Sequence, residues 1–225
     1  MKITAAAALS LAGLAAANPV DLDERQGCPK VYVFGARETT APAGYGTSQG
    51  LVNQIKSAYS GAGSEAINYP ACGGQSQCGG VSYDNSASQG TAAVVKAVTA
   101  YNQKCPDTQI VLVGYSQGGQ IMDNAICGGA GSTLSGAAMN AVKAAIFMGD
   151  PHNVKGLAYN VGTCQAGGFA ARPSGFTCSV ASKIQSYCDS QDPYCCNGND
   201  ANHHQQYVSI YGSQAMTFIK SKITA

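Results

Sequence analysis

The chain has no tryptophan, only three histidines and five phenylalanines among 225 residues, and charged side chains make up just 11% of it. Net charge is lacking too: thirteen basic residues against twelve acidic ones leave +1. That balance offers no electrostatic grip on nucleic acid or a membrane surface, so neither is expected as a partner. After the first seventeen residues no apolar run reaches the roughly 18 residues that a membrane span needs. The sequence has no Asn-x-Ser/Thr acceptor, no Ser/Thr/Pro-rich linker and no internal repeat, so nothing suggests a second module. The scarcity of histidine narrows the chemistry as well, because a general base has only His152, His203 and His204 to choose from.

Plentiful residues point to an extracellular protein. Met1-Lys2, the small and apolar run from Ile3, and Ala15-Ala16-Ala17 have the layout of a secretory signal, expected to span residues 1–17. Asn18 to Arg25 is polar, contains Pro19 and suits a short pro-segment, with Gln26 as the mature N-terminus. Without residues 1–25 the chain keeps 11 basic and 9 acidic residues. The remaining residues, 26–225, fit one domain large enough for a substantial core. All ten cysteines fall in this part, and an even count in a secreted chain predicts five disulfides. A metal site built from Cys195-Cys196 and His203-His204 is not expected, because adjacent cysteines lack ligand spacing and the compartment is oxidising.

The stretch Ile110-Val111-Leu112-Val113-Gly114-Tyr115-Ser116-Gln117-Gly118-Gly119 organises the rest. A β-branched apolar run there meets G-x-S-x-G, the order required for a nucleophile elbow between a strand and a helix. The pentapeptide alone is weak, since a chain this rich in glycine and serine yields about 0.3 matches by chance. A second match, Gly46-Thr47-Ser48-Gln49-Gly50, follows the Pro/Gly-containing segment 39–45, which carries no strand signal. Context therefore selects Ser116 over Ser48.

Apolar periodicity places strands at Val31–Phe34, Ala66–Tyr69, Ile110–Val113, Ala144–Met148 and Lys183–Cys188. Helices are predicted over Ser48–Tyr59, Ser86–Tyr101, Gly118–Cys127 and Tyr207–Ile223, with loop from Gly128 to Gly136. Alternating strands and helices imply an α/β fold, a three-layer α/β/α sandwich around a parallel sheet. The glycine-rich segment between Cys72 and Cys78 reads as a surface loop rather than a phosphate cradle, since no lysine or helix follows in register.

Serine at neutral pH needs a base, and the base needs a partner to orient it. In strand-turn-helix hydrolases the acid and then the histidine follow the serine, which favours His203 or His204 over His152, read as a loop or capping residue. Asp192 lies between Cys188 and Cys195, where a bridge would brace it on a short closed loop. Asp189, Asp200 and Asp150 read as turn residues. Of the two donors an oxyanion hole needs, one is the backbone N–H of Gln117. The other is expected from Thr39 or Thr40, on the loop after the first strand.

Four segments carry a resemblance: Val33 to Thr40, Asn68 to Gly74, Val113 to Gly119 and Cys188 to Gly198. Together they closely resemble the fungal acetylxylan esterases, which belong with the cutinases to carbohydrate esterase family five. The likeness extends over essentially all of Cys28 to Ile223. It implies a small lidless cutinase-like α/β hydrolase, acting without a cofactor or metal as a monomer, that removes acetyl groups from acetylated xylan. By motif position it implies Ser116 as nucleophile, Asp192 as acid and His204 as base, with Thr39 and Gln117 at the oxyanion hole. It also implies disulfides Cys28–Cys105, Cys72–Cys78, Cys127–Cys178, Cys164–Cys196 and Cys188–Cys195. The doubled His203-His204 departs from the single histidine common in the family and leaves a swap of roles open.

The segment from Pro193 to His203 is polar, with Tyr194 its one large ring. Such a ring would close the acyl pocket around acetyl and leave a hydrophilic mouth for sugar. The expected activity is thus a secreted acetylxylan esterase. A cutinase or broad short-chain carboxylesterase is the alternative, and a non-catalytic cell-wall carbohydrate-binding protein on the same fold is a third reading.

Overall fold

A computed structural model describes residues 27–224. The expected signal and pro-segment, residues 1–25, lie outside the described residues. The chain runs through β1 (Val31–Ala36), α1 (Gln49–Ala58), β2 (Gly63–Ala66), α2 (Tyr83–Lys104), β3 (Gln109–Tyr115) and α3 (Gln117–Cys127). It continues with α4 (Gly136–Ala141), β4 (Val142–Met148), β5 (Asn160–Val161), β6 (Ile184–Tyr187) and α5 (Tyr207–Lys222). The six strands form one sheet in the order β2-β1-β3-β4-β6-β5, parallel at every pairing.

Both faces of that sheet are covered, as a parallel sheet requires. Along β3, Ile110 and Leu112 face α2, α3 and α4, whereas Val111, Val113 and Tyr115 face α1 and α5. Two cores result, one on each side of the same strands, and this is why β3 reads as continuously apolar rather than alternating. One register shift occurs where β4 inserts Lys143 opposite the Ile110/Val111 step.

Four elements depart from the sequence reading. The second strand lies at Gly63–Ala66 instead of Ala66–Tyr69. Ile67 and Tyr69 are buried, but after Ile67 the chain leaves the ladder. Its carbonyls are met by the Arg37 guanidinium, 2.6 Å from Tyr69 O and 3.4 Å from Ile67 O. Helix α2 begins at Tyr83 rather than Ser86, because Ser82 accepts a hydrogen bond from the Asn85 N–H as its N-cap. The two-residue β5 and the six-residue α4, whose Gly136 reads as loop, are too short to carry a period. Elsewhere the predicted elements match within a few residues.

Strand order reverses between β1 and β3, with β2 outside one and β4 outside the other. Open α/β sheets bind ligands at this switch point, beyond the carboxyl ends of the strands. Here the loop after β1 and the β3–α3 turn meet.

Candidate active site

Ser116 stands between β3 and α3 with φ 52° and ψ −120°, a backbone conformation costly for any residue with a Cβ. Its neighbours explain how the turn is that tight. A Cβ on Gly114 would lie 2.3 Å from Gly118 O, and one on Gly118 would lie 2.2 Å from Ala36 O. Both motif glycines are therefore required by close backbone approach. The rival Ser48 is fully buried at the start of α1, where its hydroxyl donates to Tyr45 O at 2.5 Å.

Beside Ser116 the loop after β1 is tied down by its own polar groups. The Thr40 N–H donates to Ala71 O at 2.7 Å and its hydroxyl to Thr39 O at 2.6 Å. Among the described residues, Thr39 keeps its N–H and hydroxyl uncommitted and lines the same cleft as Ser116. Gln117 begins α3, where free N–H groups and the helix dipole favour negative charge. Its buried side chain donates to Cys72 O at 3.0 Å and accepts from the Ser86 hydroxyl at 2.9 Å, fixing the Cys72–Cys78 loop.

His204 Nδ1 lies 2.6 Å from Asp192 Oδ2. The same carboxylate oxygen accepts the Tyr207 hydroxyl at 2.8 Å, while Oδ1 accepts the N–H groups of Tyr194 at 2.6 Å and Cys195 at 3.2 Å. Burial raises the pKa of Asp192, but its bonds to His204, Tyr194 and Tyr207 outweigh this and hold it below the usual range. Asp192 is therefore a buried, fully partnered anion. The His204 ring rests on Gly149, where an added Cβ would come within 2.6 Å of Cε1. Its backbone is held by the Tyr115 hydroxyl, which donates to His204 O at 2.6 Å, so the residue just before Ser116 also sets the position of His204.

His203 has a different partner. Its Nε2 lies 2.8 Å from Asp189 Oδ2, and Asp189 Oδ1 accepts from the Tyr211 hydroxyl at 2.7 Å and from Thr163 N at 3.0 Å. Asp189, read from the sequence as a turn residue, is thus the anchor of a second histidine–aspartate pair. Tyr207 links the two pairs, accepting the Asp189 N–H at 2.9 Å while donating to Asp192. Asp200 does act as a turn residue, accepting from Asn202 N and His203 N. Sequence reasoning missed Tyr115, Tyr207 and Gly149, which look like core tyrosines and a strand-end glycine. The only signal was position: Tyr115 immediately precedes Ser116, Tyr207 follows His204 by three residues and Gly149 immediately follows β4.

Five disulfides join Cys28–Cys105, Cys72–Cys78, Cys127–Cys178, Cys164–Cys196 and Cys188–Cys195. The adjacent Cys195 and Cys196 take separate partners, and Cys188–Cys195 closes the loop that carries Asp192. Ser116, His204, Thr39 and Tyr194 open on one cleft of about 390 Å³, whose rim also includes Glu38 and Phe169. The Tyr194 ring, 41% exposed, has its centroid 4.6 Å from that of His204.

A family model described as Cutinase matches residues 27–223. The chain belongs to the cutinase family. It is 60% identical over 227 residues to acetylxylan esterase 2 of Talaromyces purpureogenus, covering 96% of this chain and 97% of that one. It is also 59% identical to cutinase 11 of Verticillium dahliae, over 97% of this chain and 77% of the relative. A solved acetylxylan esterase structure, 61% identical, matches with a TM-score of 0.85 over 87% of this chain and 99% of the other. This cutinase-family chain is thus about equally similar to relatives named for two different esters.

Proposed function

We propose that this cutinase-family hydrolase is a secreted acetylxylan esterase with Ser116 as nucleophile, His204 as base and Asp192 as the acid that orients it. The observation that carries the reading is the 2.6 Å bond between His204 Nδ1 and the buried Asp192 carboxylate, at the edge of the cleft that exposes Ser116. With Nδ1–H donated to Asp192, His204 keeps the lone pair on Nε2. Nε2 takes the Ser116 proton as Oγ attacks the acetyl carbonyl carbon. The resulting oxyanion is held by the Gln117 N–H and by Thr39, each donor worth about 10²–10³ in turnover. Collapse expels the sugar hydroxyl, which leaves with the proton from His204. Water, deprotonated by His204, then attacks the acetyl-serine and releases acetate.

Acetyl is favoured over a fatty chain because the Tyr194 ring stands beside His204 and the cleft is rimmed by Glu38, Thr39, Thr40, Gln75 and Gln205. Such a rim suits sugar hydroxyls better than alkyl chains. The cutinase reading predicts the opposite order of rates, a broad short-chain carboxylesterase predicts fast short-chain cleavage without acetate release from xylan, and a non-catalytic carbohydrate-binding protein predicts none. Rates on 4-nitrophenyl esters from acetate to decanoate, together with acetate release from acetylated xylan, test all three. Acetate should be the fastest acyl group and Ser116→Ala should abolish release. Faster long-chain cleavage, or activity retained in Ser116→Ala, would overturn the proposal.

A further inference from the structure

Phe169 is 58% exposed, the most open of the large apolar side chains among the described residues. A single exposed ring is ordinary on a protein surface, but Phe169 lines the same cleft as Ser116 and His204. It is also fixed in place. Around it the N–H of Gly168 donates to Asn153 O at 2.9 Å, that of Phe169 to Tyr194 O at 3.1 Å and that of Arg172 to His152 O at 3.0 Å. Gly168 packs so closely that a Cβ there would lie 2.3 Å from Pro151 O.

Behind this turn lies a buried polar cluster that the ester chemistry does not use. Arg172 Nε donates to Asp123 Oδ2 at 2.8 Å and Nη1 to Gly128 O at 2.5 Å. His152 Nδ1–H donates to Ala170 O at 2.6 Å. Burial first, and the Arg172 charge second, hold His152 down to about 4, so at neutral pH its ring is uncharged. The Tyr83 ring meets Phe169 edge to face at 5.1 Å, and its hydroxyl is secured on Gln120 Oε1 at 2.8 Å. Phe169 therefore has a rigid backbone and a braced edge while more than half of it faces water. Ordered exposure of this kind suits a ligand that supplies the missing apolar contact.

We propose that Phe169 is a stacking platform for the pyranose ring adjacent to the acetylated one, a subsite that lets the enzyme recognise a polysaccharide rather than a free acetyl ester. This inference rests on the acetylxylan esterase reading. A pyranose carries an apolar face of C–H groups with its hydroxyls around the edge, and that face matches an open aromatic ring. Tyr194, hydrogen-bonded through its carbonyl to Phe169 and set beside His204, borders the reacting sugar, which leaves Phe169 for its neighbour.

Kinetics of the native enzyme, Phe169→Ala, Phe169→Leu and Phe169→Trp on acetylated xylo-oligosaccharides and on 4-nitrophenyl acetate test the platform. Both Phe169→Ala and Phe169→Leu should raise KM on the oligosaccharides about fivefold with little change in kcat. The effect on 4-nitrophenyl acetate, which has no neighbouring sugar, should be clearly smaller, and Phe169→Trp should keep the native KM. Equal losses on both substrates, no loss on either, or a Leu variant that behaves as native would overturn it. A native enzyme that releases no acetate from the oligosaccharides removes the acetylxylan reading and the platform together. Acetate release from the oligosaccharides that is the same whatever stands at residue 169 removes the platform alone.

Discussion

One hydroxyl, that of Tyr207, accepts from Asp189 N and donates to Asp192 Oδ2, so the two adjacent histidine–aspartate pairs are mechanically one unit. Tyr207→Phe removes that link and leaves the Asp189 N–H unpaired in a buried site, which should cost about 1–3 kcal/mol of stability and lower kcat. Thermal melts and initial rates on 4-nitrophenyl acetate check both. The histidines separate more sharply. Only His204 is both paired to Asp192 and on the cleft with Ser116, so His204→Ala should cut kcat by about 10⁴ or more, while His203→Ala stays within about tenfold. The reverse order would mean that the roles are swapped. At this scale motif and loop context in the sequence single out Ser116, Gln117 and Asp192 as candidates, each a single position. Between His203 and His204, neighbours in one polar loop, spacing alone could not choose, and only the family resemblance favoured His204. The choice depends on which aspartate each ring meets in space.

Among the elements, the β3–α3 turn has the least tolerance for change. Gly118 lets α3 start against the carbonyl of Ala36 in β1, and Gly118→Ala would force backbone against backbone. The expected cost is about 1–3 kcal/mol or more, with activity falling further than stability because Ser116 and Gln117 would move together. Denaturant unfolding and kcat of this one variant check that. The apolar runs of β1, β3 and β4 were readable because each is buried on both faces. Strand β2 was misplaced since Gly63–Ala66 is a weakly apolar edge strand, whereas the buried Ile67 and Tyr69 that resemble a strand are bonded by the distant side chain of Arg37. No local window contains that partner.

Across the whole molecule, acid should act on the buried His152 before it reaches Asp189 and Asp192. His152 has its pKa lowered from 6.5 to about 4, so between those values the unfolded chain binds a proton that the folded chain does not. Stability from this group is full above pH 6.5 and is lost as pH falls towards 4, by about 3 kcal/mol in all. Asp189 and Asp192, whose hydrogen bonds lower their pKa values despite burial, contribute stability that is lost only at still lower pH. Burial raises the pKa values of Asp123 and Asp150 in the same cluster, which acts in the opposite sense, so His152 is read as a difference: between pH 7, 5.5 and 4 the melting temperature should fall more steeply in the native protein than in His152→Gln. An unchanged slope in that variant would remove His152 as the cause.

By itself the sequence determined the α/β class, the strand-turn-helix around Ser116 and the even cysteine count, because each depends on local period, composition or a motif spanning a few residues. The tertiary structure decided what depends on distant partners. It paired His204 with Asp192 and His203 with Asp189, hung both on Tyr207, and set Tyr115 under the backbone of His204. It also held Phe169 open at the cleft by bonds from residues 15 or more positions away. Hydrogen bonds and close packing act over about 3 Å whatever the separation along the chain, and only the fold brings such residues that close.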